Sequence, residues 1–297
     1  MGSTAVSGIS WPIALRLGRV SNLPTIWSNV LAAAVLSGTQ YALARALPLM
    51  LALSLFYVAG MYLNDAFDAA YDRQHRPRRP IPSGEVKTST VFAVGAGLIG
   101  CALLLLLALG LTSNGAGLRG FAGGLTLTVA ILVYDVWHKG NPVGPVLMGF
   151  CRVLVYLTVG ASIAGVLPRE LLWSAAMALC YLVGLTYAAK REDLKQPGRL
   201  WPLAFLAAPF LYGLPIAASS VVGVIIYAAL LGAVIYALSF MVRLAQANIP
   251  RVVSVLIASI CLLDALFIAG ANQPLLALLA ALGFPLTLIC QRSIPGT

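Results

Sequence analysis

Charge is what this chain has least of. Only 9% of its 297 residues are Asp, Glu, Lys or Arg, where soluble domains carry about 25%. That scarcity excludes an ordinary water-soluble globular protein, and no long polar linker or separate soluble domain interrupts the chain. Histidine is nearly absent: His75 and His138 are too few and too far apart for a zinc site. The five cysteines (Cys101, Cys151, Cys180, Cys261, Cys290) lie scattered in apolar segments without a CxxC spacing, so they read as small core residues. Met1 to Trp11 lacks the basic-then-apolar order of a signal peptide, and Val6 stands where N-myristoylation wants Ser or Thr. Acidic residues number 9 against 19 basic ones, a net charge of +10. Membrane orientation and anionic ligands account for that excess, and no nucleic acid is needed to explain it.

What is present is apolar. The chain is 60% hydrophobic with a mean hydropathy of +0.93. Apolar stretches recur near 24–43, 46–64, 88–112, 119–137, 143–166, 170–189, 201–217, 220–242, 252–270 and 275–291. Each approaches the roughly 20 residues that cross hydrocarbon as a helix. The pattern predicts an all-α polytopic membrane protein of nine or ten crossings, its last two segments short and one of them re-entrant or interfacial. Placed on alternating sides, all basic residues but Arg45, Arg119 and Arg169 collect at one face. This positive-inside asymmetry predicts that the Asp-rich loop after the second span is cytoplasmic. Trp11, Trp27, Trp137, Trp173 and Trp201, near span ends, suit an interfacial belt.

The densest polar signal is Asn64-Asp65-Ala66-Phe67-Asp68-Ala69-Ala70-Tyr71-Asp72, directly before Arg73-Gln74-His75-Arg76-Pro77-Arg78-Arg79-Pro80. On a helix Asn64, Asp68 and Asp72 share one face at i, i+4 and i+8. An Asp at the bilayer centre costs about 2.5–3.5 kcal/mol, so Asp68 and Asp72 in register should face the bundle interior or a water-filled mouth. Oxygen ligands at this spacing suit a hard cation such as Mg²⁺, and adjacent guanidinium groups suit a phosphate. Together they read as a metal–diphosphate site.

Two further loops fall on the same side. Lys190-Arg191-Glu192-Asp193 closes the sixth span and again joins acidic to basic residues. Tyr134-Asp135-Val136-Trp137-His138-Lys139 closes the fourth. Lys139, with Arg152 shortly after, could reach a diphosphate as point charge and fork. Arg152 lies in an apolar run, which marks it as functional unless it simply pairs with an acid such as Asp135. Other patterns carry less. Gly95-Ala96-Gly97-Leu98-Ile99-Gly100 matches GxGxxG inside a span, and Gly120 with Gly124 forms GxxxG; both read as helix packing. Asp264, alone in an apolar run, reads as bonded to backbone or a neighbouring helix.

The pattern NDxxDxxxD followed by RPxRPIPSG, here Asn64 to Asp72 and Arg76 to Gly84, resembles the UbiA superfamily of intramembrane prenyltransferases. The opening Arg16 to Thr25 resembles that family's first helix, and the loop after the fourth span its Tyr-and-Lys loop. Within the superfamily, Met148-Gly149-Phe150-Cys151-Arg152 and Ala189 to Asp193 look most like the EboC-like branch. The resemblance covers most of the chain. It implies a single domain over 1–297, with about nine transmembrane helices around a central cavity that opens toward lipid. It also implies a Mg²⁺-dependent transfer of a prenyl group from a polyprenyl diphosphate to an aromatic or other lipophilic acceptor, in a bacterial inner membrane.

Carried over by position, the resemblance makes Asn64, Asp68, Asp72, Glu192 and Asp193 metal ligands. It makes Arg19, Asn22, Arg73, Lys139, Arg152, Lys190 and Arg191 diphosphate contacts. Asn64, Asp68, Asp72, Tyr134 and Asp193 form the catalytic set, with Tyr134 near the reacting carbon. Two positions depart from the family pattern. Ala189 stands four residues before Asp193, where the family's second motif has Asp, and His138 stands where its loop has Lys, with Lys139 next. The first departure favours an alternative: a catalytically weakened relative that binds, scaffolds or helps export a hydrophobic secondary metabolite. A secondary transporter fits less well, because the charges lie at span ends on one side instead of at midplane.

Overall fold

A computed structural model describes residues 9–38, 42–112, 117–194, 201–242, 249–294 and 296, with the side chains of 42, 190–194, 201–203 and 241–242 outside that description. Among the described residues the secondary structure is entirely helical. A short α1 (Trp11–Leu17) and a 3₁₀ turn at Val20–Asn22 lead into α2 (Leu23–Leu36) and the long α3 (Ala42–Phe67). After α4 (Ala69–His75) come α5 (Thr88–Thr112), α6 (Arg119–Trp137), α7 (Gly144–Ile163) and α8 (Arg169–Leu194). A second 3₁₀ stretch precedes α9 (Ala208–Ala218), followed by α10 (Val221–Val242). Two broken helices finish the chain, α11–α12 (Ile249–Ala258, Ile260–Gly270) and α13–α14 (Pro274–Ala281, Gly283–Ser293).

Eight of these segments are long and apolar enough to cross a membrane, and two shorter apolar helices, Val20–Leu36 and Ala204–Ala218, complete the set. The expectation of about nine helices is near that count. One detail is corrected: the last two segments span 22 and 20 residues, and the short ones are instead the first and seventh. The broken α11–α12 and α13–α14 each keep their turns joined, for Leu263 N–H still bonds Ser259 O and Leu286 N–H bonds Leu282 O. Sequence hydropathy therefore understated their reach.

The spans differ in how far they are enclosed. The Ile249–Gly270 segment is 89% buried, against 28% for Thr88–Thr112 and 17% for Pro274–Ser293. A helix apolar on every side can sit in the core or face lipid; burial identifies α11–α12 as the central post and α5 and α13–α14 as outer staves. The outer faces carry exposed Leu104, Leu111, Val129, Leu211 and Leu275. Trp11, Trp137 and Trp173 are exposed, in keeping with an interfacial belt.

Glycines set the closest approaches. A Cβ on Gly120 or Gly123 of α6 would press on Ser162 and Thr158 of α7, while Gly124 faces Leu106, Leu103 and Phe56. The GxxxG pair thus serves two different neighbours instead of one seam. Of the GxGxxG run, Gly95 abuts Leu63 and the positions at Gly97 and Gly100 are open. Gly123 meets the Thr158 backbone, which cannot rotate away. Gly123→Leu is therefore expected to cost about 1–3 kcal/mol through overpacking, read as a lower Tm in detergent; an unchanged Tm would mean that α6 and α7 separate freely.

Candidate active site

The site is built where α3 runs out. α3 and α4 meet at Asp68, yet Asp68 N–H bonds Asn64 O and Asp72 N–H bonds Asp68 O, both at 2.9 Å. The i, i+4, i+8 register therefore survives the junction. Asn64, Asp68 and Asp72 are all buried, as is Asp65. They lie on one side as the spacing predicts, but each reaches a different partner.

Asp68 Oδ2 accepts from Lys139 Nζ at 3.0 Å and lies 3.5 Å from His138 Nε2. His138 and Lys139, adjacent in the loop after α6, thus both approach the same carboxylate oxygen. Asp72 Oδ2 pairs with Arg79 Nη1 at 2.8 Å. Asp65 Oδ1 holds both Arg79 at 3.2 Å and Arg19 at 3.1 Å. Three carboxylates meet three cations, which is how a cluster this buried avoids a large desolvation cost. Lys139 also sits 4.0 Å from the centre of the Tyr71 ring, a cation–π contact. Burial alone would raise the pKa of Asp68; the hydrogen bonds from His138 and Lys139 and the Lys139 charge outweigh it and hold the carboxyl below its ordinary value. Stability from this latch is therefore present above the unfolded Asp pKa and lost as pH falls through the lower folded value.

Asn64 turns inward. Its Nδ2 donates to Asp135 Oδ1 of α6 at 3.2 Å. Asp135 lines an apolar cavity of about 120 Å³ together with Ile26, Phe56, Tyr57, Tyr134 and Arg152. The charged cluster and the cavity are thus joined through Asn64. Arg152 does not pair with Asp135. Its Nη1 donates to Thr25 O at 3.1 Å and Asn29 Oδ1 at 3.3 Å, and its Nη2 to Thr25 Oγ1 at 3.2 Å. Tyr134 stacks on His138 with ring centres 4.8 Å apart, one helical turn away. A larger cavity, about 620 Å³, lies between the ends of α2, α8 and α12 with Glu170, Tyr212 and Gln273 in its wall. No cation lines it, so it offers nothing for a diphosphate.

The remaining expected residues divide. Asn22 is buried and fully engaged: Nδ2 donates to Tyr57 Oη at 3.1 Å and Gly296 O at 2.9 Å, and Oδ1 accepts from Gln291 at 2.8 Å. One of its N–H groups is thus spent on Tyr57 of α3 and the other on Gly296. Arg73 is exposed on α4, and it is Arg79 that pairs with Asp65 and Asp72. Lys190, Arg191, Glu192 and Asp193 fall on the last turns of α8, but their side chains lie outside the described residues. The sequence places Asp65 and Arg79 together in the polar loop without marking either as a site residue, and it gives no sign that Asp135 links to the cavity. Asp65 was legible as the second residue of the motif, but on a helix it points about 100° away from Asn64, and only Arg19 and Arg79 explain it.

The donors suit a hard divalent cation by type, being carboxylate and carboxamide oxygens. Asp72 Oδ1 is buried with no hydrogen-bond partner among the described residues, an orphan of the sort such an ion satisfies. No three Asp, Glu, His or Cys side chains converge on one point suited to a metal ion among the described residues.

The chain belongs to the UbiA prenyltransferase family, whose pattern matches residues 21–263, and it is a multi-pass integral membrane protein. Digeranylgeranylglyceryl phosphate synthase of Methanosarcina mazei is 36% identical over 110 residues, which are 36% of this chain and 35% of that protein. The chain thus matches about a third of the length of this curated relative. Two solved structures share the fold. A UbiA homologue from Aeropyrum pernix K1 is 19% identical with a TM-score of 0.61, over 87% of this chain and 96% of that one. A UbiA homologue from Archaeoglobus fulgidus, bound to GPP and Mg²⁺, is 17% identical with a TM-score of 0.60, over 88% of this chain and 99% of that one.

Proposed function

We propose that this protein is a Mg²⁺-dependent intramembrane prenyltransferase that moves a prenyl group from a polyprenyl diphosphate to an aromatic or other lipophilic acceptor. One observation supports it above the others: the buried carboxylates Asp65, Asp68 and Asp72, paired with Arg19, Arg79 and Lys139, lie within a helical turn or two of Asn64, whose amide donates to Asp135 in the wall of an apolar cavity that holds Arg152 and Tyr134. The GPP and Mg²⁺ of the Archaeoglobus homologue agree with this reading.

In this reading Asn64, Asp68 and Asp72 would hold Mg²⁺, with Glu192 and Asp193 supplying the second motif. Bound Mg²⁺ would neutralise the diphosphate and so ease its departure. Lys139 and Arg79, which pair with the Asp68 and Asp72 carboxylates, and Arg19, which pairs with Asp65, would supply positive charge to the diphosphate. Arg152 meets the diphosphate from the cavity side. The C–O bond breaks with its electron pair leaving on the diphosphate, the acceptor carbon or heteroatom attacks the allylic cation, and the acceptor gives up its proton to the departed diphosphate. Tyr134 stands beside that cation, and the apolar wall of Ile26 and Phe56 excludes water that would quench it. A cavity of about 120 Å³ is below the roughly 300 Å³ of common ligand pockets, so the prenyl tail runs out between helices toward lipid. Asn22, with no N–H to give, braces the rim. Lys190 and Arg191 lie close in sequence to the second motif and add positive charge there. The cluster faces the cytoplasm of a bacterial inner membrane, and the single domain extends over 1–297. The EboC-like resemblance of Met148 to Arg152 belongs to this proposal too.

The test is direct. Membranes containing the protein are given isotope-labelled geranylgeranyl diphosphate and Mg²⁺, and the lipid extract is read by mass spectrometry. A labelled prenylated lipophile absent from control membranes is expected; label that remains entirely as diphosphate would contradict the proposal.

Ala189 favours the second reading, a binding or scaffolding relative with weakened turnover. α8 continues through Leu194, so Ala189 lies one turn before Asp193 on the same face. Ala189→Asp is expected to lower the Mg²⁺ concentration for half-maximal activity by about tenfold. An unchanged metal titration would place the second ion elsewhere.

A further inference from the structure

The most enclosed span, Ile249–Gly270, carries one carboxylate, Asp264, with no exposed surface. The proposed transfer does not use it, and a buried carboxylate is too costly to be idle. Asp264 accepts from Ser28 Oγ at 2.5 Å, Asn29 Nδ2 at 2.9 Å and Tyr156 Oη at 2.5 Å. All three donors are neutral. The link to positive charge runs through Asn29, whose Oδ1 accepts from Arg152 Nη1 at 3.3 Å.

The direction of that link follows from chemistry. A carboxylate only accepts, and an amide has one donating end and one accepting end. With its NH₂ on Asp264, Asn29 must present its oxygen to Arg152. The Thr25 carbonyl and hydroxyl hold the same guanidinium at 3.1 and 3.2 Å. These bonds occupy both Nη1 hydrogens and one on Nη2. Of the five N–H groups of an arginine, the Nε–H and one Nη2–H are left over, in a side chain that lines the cavity.

We infer that Asp264 is a positioning residue for diphosphate recognition: acting through Asn29, it holds Arg152 in the arrangement that leaves two N–H groups for an anionic ligand. Its charge also balances the guanidinium across the amide in an interior that would tolerate neither alone. The inference rests on the diphosphate reading above and adds to it a residue on the central post, far in sequence from every motif.

Binding of geranylgeranyl thiodiphosphate, an analogue that resists ionisation, is measured with Mg²⁺ on the purified protein in nanodiscs. Asp264→Asn and Asn29→Ala are each expected to weaken binding about tenfold. In an Arg152→Ala background neither is expected to weaken it further, because the path ends at Arg152. A purely structural role would instead produce losses that add to that of Arg152→Ala. Should Asp264→Asn fail to fold, Asn29→Ala carries the test, since it leaves Asp264 bonded to Ser28 and Tyr156. Unchanged binding in Asn29→Ala, or additive losses, overturns the inference. Absence of binding by the wild type is a different result: it overturns the diphosphate reading, and this inference with it.

Discussion

Asp68→Ala is expected to lower prenyl transfer on the order of a hundredfold to a thousandfold, the scale of losing one electrostatic contact that matters only in the transition state. Asp68 is the hinge of the cluster. It meets Lys139 at 3.0 Å and His138 at 3.5 Å, and it stands at the α3–α4 junction between the two other oxygen donors of its face. Its removal deletes a proposed metal ligand and frees Lys139 to pair with diphosphate without an ion between them. Insertion should be unaffected, because Asp68 lies just past the span ending at Phe67. Substrate turnover and the elution profile of the detergent-solubilised protein are measured side by side. Activity within threefold of wild type, in a protein of normal profile, would remove Asp68 from the site.

Arg152→Ala should cost about a hundredfold in kcat/KM for the diphosphate, the scale of truncating one partner of a buried, hydrogen-bonded charge. The loss has two parts. The cavity forfeits its one cation, and Asp264 keeps its hydrogen bonds but loses the charge that balances it. Arg152→Lys should recover only part of the activity. A lysine is a point charge on a flexible stem and cannot hold Thr25 and Asn29 together while keeping further donors for a ligand. The acceptor KM should change little in either variant. Wild-type kcat/KM in Arg152→Ala would show that the diphosphate never reaches the cavity side of the cluster.

Much of this architecture was legible in the chain because hydropathy and helical spacing are local properties. Asn64, Asp68 and Asp72 share a face because 3.6 residues make a turn, and no tertiary information is required to say so. Spans could be counted for the same reason. The last two read short because the apolar runs stop at Arg251 and Arg292, which the helical segments still include. What sequence does not encode locally is pairing across long separations. Arg79 rather than Arg73 reaches the carboxylates because the Pro77–Pro80 turn folds the chain back. Arg152 chose Thr25 and Asn29, 127 and 123 residues away, over the Asp135 that looked close. Asp264 read as a solitary polar residue because its three partners come from α2 and α7. A carboxylate in one of the most apolar spans was the available signal, and its expense was the reason to follow it.

The central claim is that the Asp68 cluster and the Arg152 cavity are one metal–diphosphate site. It is tested most directly by diphosphate release from purified protein in nanodiscs supplied with geranylgeranyl diphosphate and an acceptor-containing lipid extract. The assay is run with Mg²⁺, with a chelator, and with Asp68→Ala and Arg152→Ala beside the wild type. The account predicts release that needs Mg²⁺, stops with the chelator, and falls in both variants. Release that persists in the chelator, or in both variants at the wild-type rate, would contradict it.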